Sequence, residues 1–172
     1  WLCLVFLLIM GCQSSESSPM ISSEGIFPSV QGNNLNKKSK TVPDDFVDKD
    51  LIVIVAFQQW HQPIVDETIQ ALEENGIGET HNIIEVPTVQ KSSKLSEIYL
   101  DGIMRAAIRD DRVRNRTITA YINKEEFKTA LEIPDEQTIY WYLIKKDSNV
   151  IKKKGYGVIS DKEIADIKQL SS

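Results

Sequence analysis

The residues best suited to chemistry lie in the segment Trp60-His61-Gln62-Pro63, which follows a strongly apolar run and opens a helical pattern. His61 could serve there as a ligand or as a proton-transfer group. At a helix start, the helix dipole disfavours the protonated form of His61. The alternative interpretation is a surface histidine with no chemical role. An exposed Trp60 beside His61 would make a contact patch for a partner, whereas a buried Trp60 would belong to the core.

Neither a metal site nor a catalytic arrangement is indicated by the sequence. His81 is the only other histidine, and no third ligand follows at a spacing recognisable for zinc. Copper would need cysteine or methionine partners; Met20 lies in a polar stretch, and we expect Met104 in the core. We find no Ser-His-Asp arrangement, no glycine-rich phosphate loop and no readable pair of catalytic carboxylates. We therefore predict no metal, no cofactor and no catalytic residue.

A series of arginines gives a second candidate site: Arg105, Arg109, Arg112, Arg114 and Arg116. Because the guanidinium group can bind phosphate or carboxylate with two hydrogen bonds, the series could form a site for an anion or a lipid headgroup. The alternative is that these cations lie near a helix C-terminus, partly paired with Asp110 and Asp111.

Cys12 stands between an apolar segment and a polar one. Residues 1–10 are almost purely apolar, too short a run to span a bilayer but suited to the core of a signal peptide. Ile9-Met10-Gly11-Cys12 resembles the lipobox of bacterial lipoproteins, which implies cleavage before Cys12 and acylation of its sulfur. Residues 1–11 are then a partial signal peptide, and two or three acyl chains would anchor the protein stably in a membrane. Gln13, where some lipoproteins retained in the inner membrane have Asp, favours the outer membrane.

Composition defines the remaining organisation. The 172 residues carry a net charge of −5, which argues against general nucleic-acid binding. Residues 12–47 are rich in Ser, Asn and Gly, and we predict that they form a lipidated flexible tether. Residues 48–172 then form one domain. The only cysteines are Cys3 and Cys12, so the domain contains no thiol.

The pattern from residue 51 onward predicts a βαβ unit, further α and β elements, a β-hairpin and a last helix. Leu51 to Phe57 is typical of a strand buried on both faces, and Pro63 suits the first turn of the helix that follows. Ser160 and Glu163 form the pattern of a capping box before the last helix. Further strands are expected at 82–86, 116–122, 138–144 and 150–151, and further helices at about 95–110 and 125–131. Leu95, Ile98, Tyr99, Gly102, Ile103, Ala106 and Ala107 mark the expected core-facing side of the first of these.

The segment at residues 57–64 resembles the active-site region of thioredoxins, where Trp-Cys-Gly-Pro-Cys follows a buried strand. Trp60 and Pro63 match that motif, but His61 and Ile64 stand at the two cysteine positions. Thioredoxins also place a cis-proline before a later strand, and Arg116 occupies the position that we expect to correspond. The resemblance implies a thioredoxin-like α/β fold, with a mixed sheet and helices on both faces. Without two thiols, thiol–disulfide exchange is excluded.

The second half of the chain resembles the thioredoxin-like family of the mitochondrial ATP synthase assembly factor and its bacterial relatives. The resemblance is carried by residues 116–127, by Leu131-Glu-Ile-Pro-Asp135 and by Lys154-Gly-Tyr-Gly157. It implies a non-catalytic role in the assembly of a membrane complex.

We therefore expect a redox-inactive envelope lipoprotein that acts as a binding or assembly module. Its binding edge would comprise Trp60, His61, Gln62, Pro63 and Arg116, and its partners would be the membrane, through the lipid, and an unidentified protein. The alternative is a small-ligand or metal-handling protein that uses His61 and nearby arginines. A third hypothesis is a structural envelope protein without a specific ligand.

Overall fold

The computed structural model describes residues 25–171, which form an eight-stranded mixed sheet with helices on both faces. The predicted signal peptide and the lipidation of Cys12 lie outside these residues. The strand order across the sheet is β1-β8-β7-β4-β5-β6-β2-β3. The strands are β1 (Gly25–Ile26), β2 (Val30–Asn34), β3 (Ser39–Val42), β4 (Asp50–Ala56), β5 (His81–Gln90), β6 (Ile118–Ile122), β7 (Tyr140–Ile144) and β8 (Val150–Tyr156).

The helices lie between the central strands and at the end of the chain. They are α1 (Gln62–Glu74), α2 (Ile77–Thr80), α3 (Lys94–Ala107), α4 (Asp111–Arg116), α5 (Lys124–Leu131) and α6 (Asp161–Leu170). The capping box predicted at Ser160 and Glu163 is confirmed. No helix within residues 25–171 is both long and apolar enough to cross a bilayer.

The core is split into two layers by the central strand β4. Leu51, Val53 and Val55 pack into one layer, which α5 covers, and Ile52 and Ile54 pack into the other, which α1 and α6 cover. β4 is parallel to β5 and antiparallel to β7, and β7 forms the predicted hairpin with β8. Because β4 is buried on both faces, its sequence is a continuous apolar run. The predicted α/β fold class is confirmed.

The prediction of a tether over residues 12–47 is wrong for residues 25–47. β1 pairs with β8 at one edge of the sheet, whereas β2 pairs with β3 and β6 at the other. Phe27 and Val42 are completely buried in the first core layer. The segment is polar overall, but these few apolar side chains and the backbone pairing offset the entropy of ordering it. The folded domain therefore begins before residue 48.

Two further elements differ from prediction. β5 does not end at Pro87; it continues to Gln90, and Pro87 lies opposite Ala56 in the parallel ladder. The side of α3 that we expected in the core faces outward instead, with Leu95 81% and Tyr99 73% exposed.

Candidate functional site

The Trp60 edge comprises Trp60 and His61, in the short turn between β4 and α1, and Gln62 and Pro63, the first two residues of α1. A 3₁₀ turn over Gln59–His61 leads directly into α1, and Pro63 lies within its first turn. Proline fits there because the first N–H groups of a helix have no intrahelical acceptor. Trp60 is 56% exposed, whereas His61 is completely buried. The two rings meet edge to face, with centroids 4.2 Å apart.

The complete burial of His61 contradicts the alternative interpretation of this residue as a surface histidine. The Phe57 N–H donates to Nδ1 at 3.3 Å, so the ring proton belongs on Nε2. That nitrogen is buried without a hydrogen-bond partner among residues 25–171. Burial lowers the pKa of His61, which favours the neutral ring. The buried His61 ring therefore packs beneath Trp60, and its bond with the Phe57 N–H links the turn to the end of β4.

The loop that lies against the Trp60 edge precedes β7, not β6. Gln58 Nε2 donates to Glu136 at 3.0 Å, and Val55 pairs with Tyr140 at the start of β7. Glu136 also accepts from Lys124 at 2.6 Å and lies 3.2 Å from the Lys128 ammonium group. Sequence reasoning placed the cis-proline position at Arg116 because it took 116–122 for the strand beside the active-site strand. In the structure that neighbour is β7, and the assignment of Arg116 is wrong.

Arg116 lies at the other end of α1. Its Nη1 donates to Glu73 at 2.7 Å, and Glu73 lies about 16 Å along the helix from Gln62. The structure therefore brings together Trp60, His61, Gln62 and Pro63 but does not bring Arg116 to Trp60.

A buried carboxylic acid, Glu85 of β5, lies close to Gln62 and Asp66 in the first turns of α1. Glu85 is 3% exposed on β5 and accepts a hydrogen bond from Thr117 Oγ1 at 3.3 Å. Burial and the neighbouring Asp66 raise the pKa of Glu85 to about 7, although Gln62, Thr117 and Arg116 favour its ionised form. Sequence reasoning missed Glu85; the signal was one acid inside the apolar strand segment 83–86.

Arg114 and Arg112 support the structural interpretation. Arg114 donates to the carbonyl groups of Ile108, at 2.6 Å, and Arg105, at 3.0 Å, and so caps the last turn of α3. Arg112 lies 3.6 Å from Asp110 in an exposed pair. These contacts show no convergent anion site.

No metal centre is formed within the described part of the chain, where no three His, Cys, Asp or Glu side chains could hold an ion together. His81 is buried at the start of β5, with its two ring nitrogens 2.8 Å from Thr80 Oγ1 and 2.7 Å from Ser171 Oγ. The structure therefore keeps His81 apart from the Trp60 edge.

A second concave surface lies beside the β7–β8 hairpin. It is a groove of about 640 Å³. Tyr140, Pro134 and Tyr156 contribute to its walls, and the Tyr140 hydroxyl donates to Asp135 at 3.2 Å. Thr138, in the loop before β7, also lines the groove.

Comparison with known proteins identifies the fold but no family. No protein-family model matches the chain, and no curated protein matches it. Among solved structures, the pneumococcal exposed lipoprotein thioredoxin Etrx1 from Streptococcus pneumoniae TIGR4 is 12% identical, with a TM-score of 0.54 over 83% of this chain and 99% of its own. BsSco, a member of the Sco family of cytochrome c oxidase assembly proteins, is 15% identical, with a TM-score of 0.57 over 87% and 95%. A putative electron transfer protein from Aquifex aeolicus VF5 is 12% identical, with a TM-score of 0.58 over 86% and 93%. At these identities the similarity shows a thioredoxin-like fold alone.

Proposed function

We propose that this protein is a redox-inactive thioredoxin-like module, anchored in the bacterial cell envelope through a lipid on Cys12, that binds a protein partner through the Trp60 edge. The observation that carries the proposal is an exposed tryptophan held on a buried histidine at the thioredoxin active-site position. Residues 25–171 contain no cysteine, so this edge has no thiol for exchange.

The contact role follows from the exposure and support of Trp60. Large aromatic side chains dominate many protein interfaces, because they bury much apolar area at little entropic cost. The buried His61 ring fixes Trp60 from below, and Gln62 and Pro63 continue the edge along the first turn of α1.

Two of the structural neighbours are consistent with such a role. One is an exposed lipoprotein thioredoxin, and another belongs to a family of cytochrome c oxidase assembly proteins. An assembly role for this chain, and its resemblance to the ATP synthase assembly factor family, are part of the proposal.

The alternative of a small-ligand or metal-handling protein loses its geometric basis. It required His61 and arginines at one accessible site, yet His61 is buried and Arg116 pairs with Glu73 at the far end of α1. We therefore do not carry this alternative further.

The test is a pull-down of the lipidated protein from solubilised native membranes, comparing wild type with Trp60→Ala. Tyr156→Ala is the matched control, since Tyr156 is an aromatic residue, 73% exposed, outside the Trp60 edge. We expect a partner that wild type and Tyr156→Ala capture and Trp60→Ala loses, with the melting temperature of Trp60→Ala unchanged. Equal capture by all three proteins would exclude the Trp60 edge as the contact surface, and loss with Tyr156→Ala alone would move the contact to the groove beside β7 and β8.

A further inference from the structure

The helix α3 carries its apolar side chains on the outside of the protein. Leu95, Ile98, Tyr99 and Ile103, here called the α3 stripe, are between 48% and 81% exposed. Their spacing of three and four residues places them on one side of the helix. A helix of this pattern normally turns the apolar side toward the core. The α3 stripe is therefore an apolar surface that the described part of the chain leaves uncovered.

Polar contacts on the opposite side fix the helix in this rotation. The Tyr121 hydroxyl shares its single proton between the Asp101 carboxylate, at 2.7 Å, and the Glu97 carbonyl oxygen, at 3.0 Å. Glu97 is only 8% exposed, so the inward side of α3 carries acids. Turning the α3 stripe inward would break these bonds and expel Arg114 from the helix C-terminus. The outward stripe is thus a consequence of specific bonding and not of a loosely held helix.

Basic side chains flank the α3 stripe at both ends. Between residues 91 and 116 there are seven basic and four acidic residues, a net charge of +3 in a chain whose net charge is −5. The side chains of Lys94, at the start of α3, and Arg112, after its end, are 79% and 88% exposed. An apolar stripe with cations at its two ends and acids on the opposite side is the pattern of a helix that lies in the headgroup region of an anionic bilayer.

We propose that α3 lies flat on an anionic phospholipid bilayer, with the α3 stripe inserted among the lipids and the flanking cations on their phosphates. The helix is about 21 Å long, so it would lie along the surface and not span it. Two other occupants fit less well. A second copy would bring two regions of net positive charge together. Residues 13–24 contain only Met20 and Ile21 as large apolar residues, too few to cover the stripe.

The proposed anchor at Cys12 is compatible with this orientation. The chain from Cys12 to Gly25 can reach at most about 45 Å. β1, which begins at Gly25, and β6, which contacts α3 through Tyr121, are five strand spacings apart, or about 24 Å. One bilayer could hold both the lipid and α3. The inference goes beyond the proposed function because it concerns α3 and does not need the lipid.

The test uses residues 12–172 with Cys12→Ser, so that neither an acyl chain nor the apolar residues 1–11 contribute to binding. The protein is sedimented with vesicles of phosphatidylcholine alone or with phosphatidylglycerol added, at low and high salt. We expect binding to the anionic vesicles, weakened by salt. The double variant Ile98→Gln, Tyr99→Gln should bind about tenfold more weakly or not at all. Val47→Gln with Val158→Gln, two exposed apolar positions elsewhere, should bind like the parent protein.

The charge contribution has its own pair of variants. Arg109→Gln with Arg112→Gln should weaken binding to anionic vesicles severalfold, whereas Lys145→Gln with Lys146→Gln, which removes two charges from the β7–β8 turn, should not. Absence of parent binding, or equal binding by the stripe variant, overturns the proposal. So does a dimer in lipid-free solution that the stripe variant abolishes, which would make a second copy the occupant. Failure here leaves partner capture at the Trp60 edge untouched, because the pull-down measures that separately.

Discussion

Trp60 and His61 are adjacent in sequence, but Trp60 is 56% exposed whereas His61 is completely buried. The motif alone located both at the start of α1, because an apolar strand, a proline and a helical pattern follow in fixed order. The motif could not show which of the two side chains is buried. A shift of the turn by a single residue would be enough to expose His61 in place of Trp60. The same limit explains the error at Arg116: its sequence position was clear, but its spatial neighbour depended on which strand pairs with β4.

Truncating these two neighbours should affect stability very unequally. His61→Ala removes a buried ring and its bond with the Phe57 N–H, and we expect a loss of about 1–3 kcal/mol in the free energy of unfolding. Trp60→Ala should change it by less than about 0.5 kcal/mol, because the ring is largely exposed. Urea unfolding of both variants checks this. Equal losses would mean that Trp60, too, is part of the core.

Glu85 should make stability depend on pH in the neutral range. Its pKa is about 7 in the folded protein against 4.5 as the ordinary value. The folded state therefore holds the Glu85 proton more tightly than the unfolded state does. The resulting contribution to the free energy of unfolding is complete below pH 4.5 and is lost as pH rises through 7. The shift corresponds to roughly 3 kcal/mol. Relative to Glu85→Gln, which keeps the shape and cannot ionise, the wild type should lose stability between pH 5 and pH 8.

The measurement is urea unfolding of wild type and Glu85→Gln at several pH values. Asp166→Asn is the matched control. Its pairing with Lys153 lowers the pKa of Asp166 below 3.8, so this variant should differ from wild type by a constant amount above pH 5. A constant difference for Glu85→Gln as well would show that Glu85 does not change its protonation state between pH 5 and pH 8, contrary to this prediction.

At the scale of elements, periodicity sufficed where apolar residues are dense and failed where they are sparse. β4, α1 and α6 were predicted because continuous or helical apolar patterns mark them. β2 alternates between buried and exposed positions, but its buried positions are Val30, Gly32 and Asn34, which carry almost no apolar signal. The periodicity of α3 was recognised, yet its rotation was not, since bonds to Tyr121 and Arg114 determine it.

Gly32 should be required for the contact between β2 and β6. A Cβ atom at this position would lie 2.5 Å from the Thr119 carbonyl oxygen and 2.8 Å from Ile118 Cγ2. Because one of these atoms is backbone, Gly32→Ala must push the strands apart, and we expect a loss of about 1–3 kcal/mol in the free energy of unfolding. Gly25→Ala is the control, since its Cβ would lie 3.4 Å from Ile151 Cδ1, an ordinary contact. Similar unfolding midpoints for the two variants would contradict the β2–β6 pairing.

At the scale of the whole molecule, the N-terminal segment ties together the two edges of the sheet. β1 joins β8 at one edge, and β2 joins β6 toward the other, so residues 25–34 cross one core layer between them. Phe27, in the middle of this crossing, contacts the rings of Phe127 and Tyr142 edge to face. The composition of this segment suggested a tether. A segment that crosses the core in this way needs only a few apolar residues, so its overall composition remains polar.

Removal of residues 25–47 should therefore unfold the protein, although the composition of the chain places this segment outside the folded domain. Phe27, Val30, Leu35 and Val42 are each at most 8% exposed. Burying four such side chains contributes roughly 6–12 kcal/mol, comparable with the whole free energy of unfolding of a typical domain. We expect residues 25–172 to melt in one cooperative transition, followed by near-ultraviolet circular dichroism and by the fluorescence of the buried Trp141. Residues 48–172 should lack this transition and expose apolar surface to a hydrophobic dye. A cooperative transition in the shorter chain would mean that residues 25–47 are a tether, and that the Trp60 edge folds without the N-terminal strands.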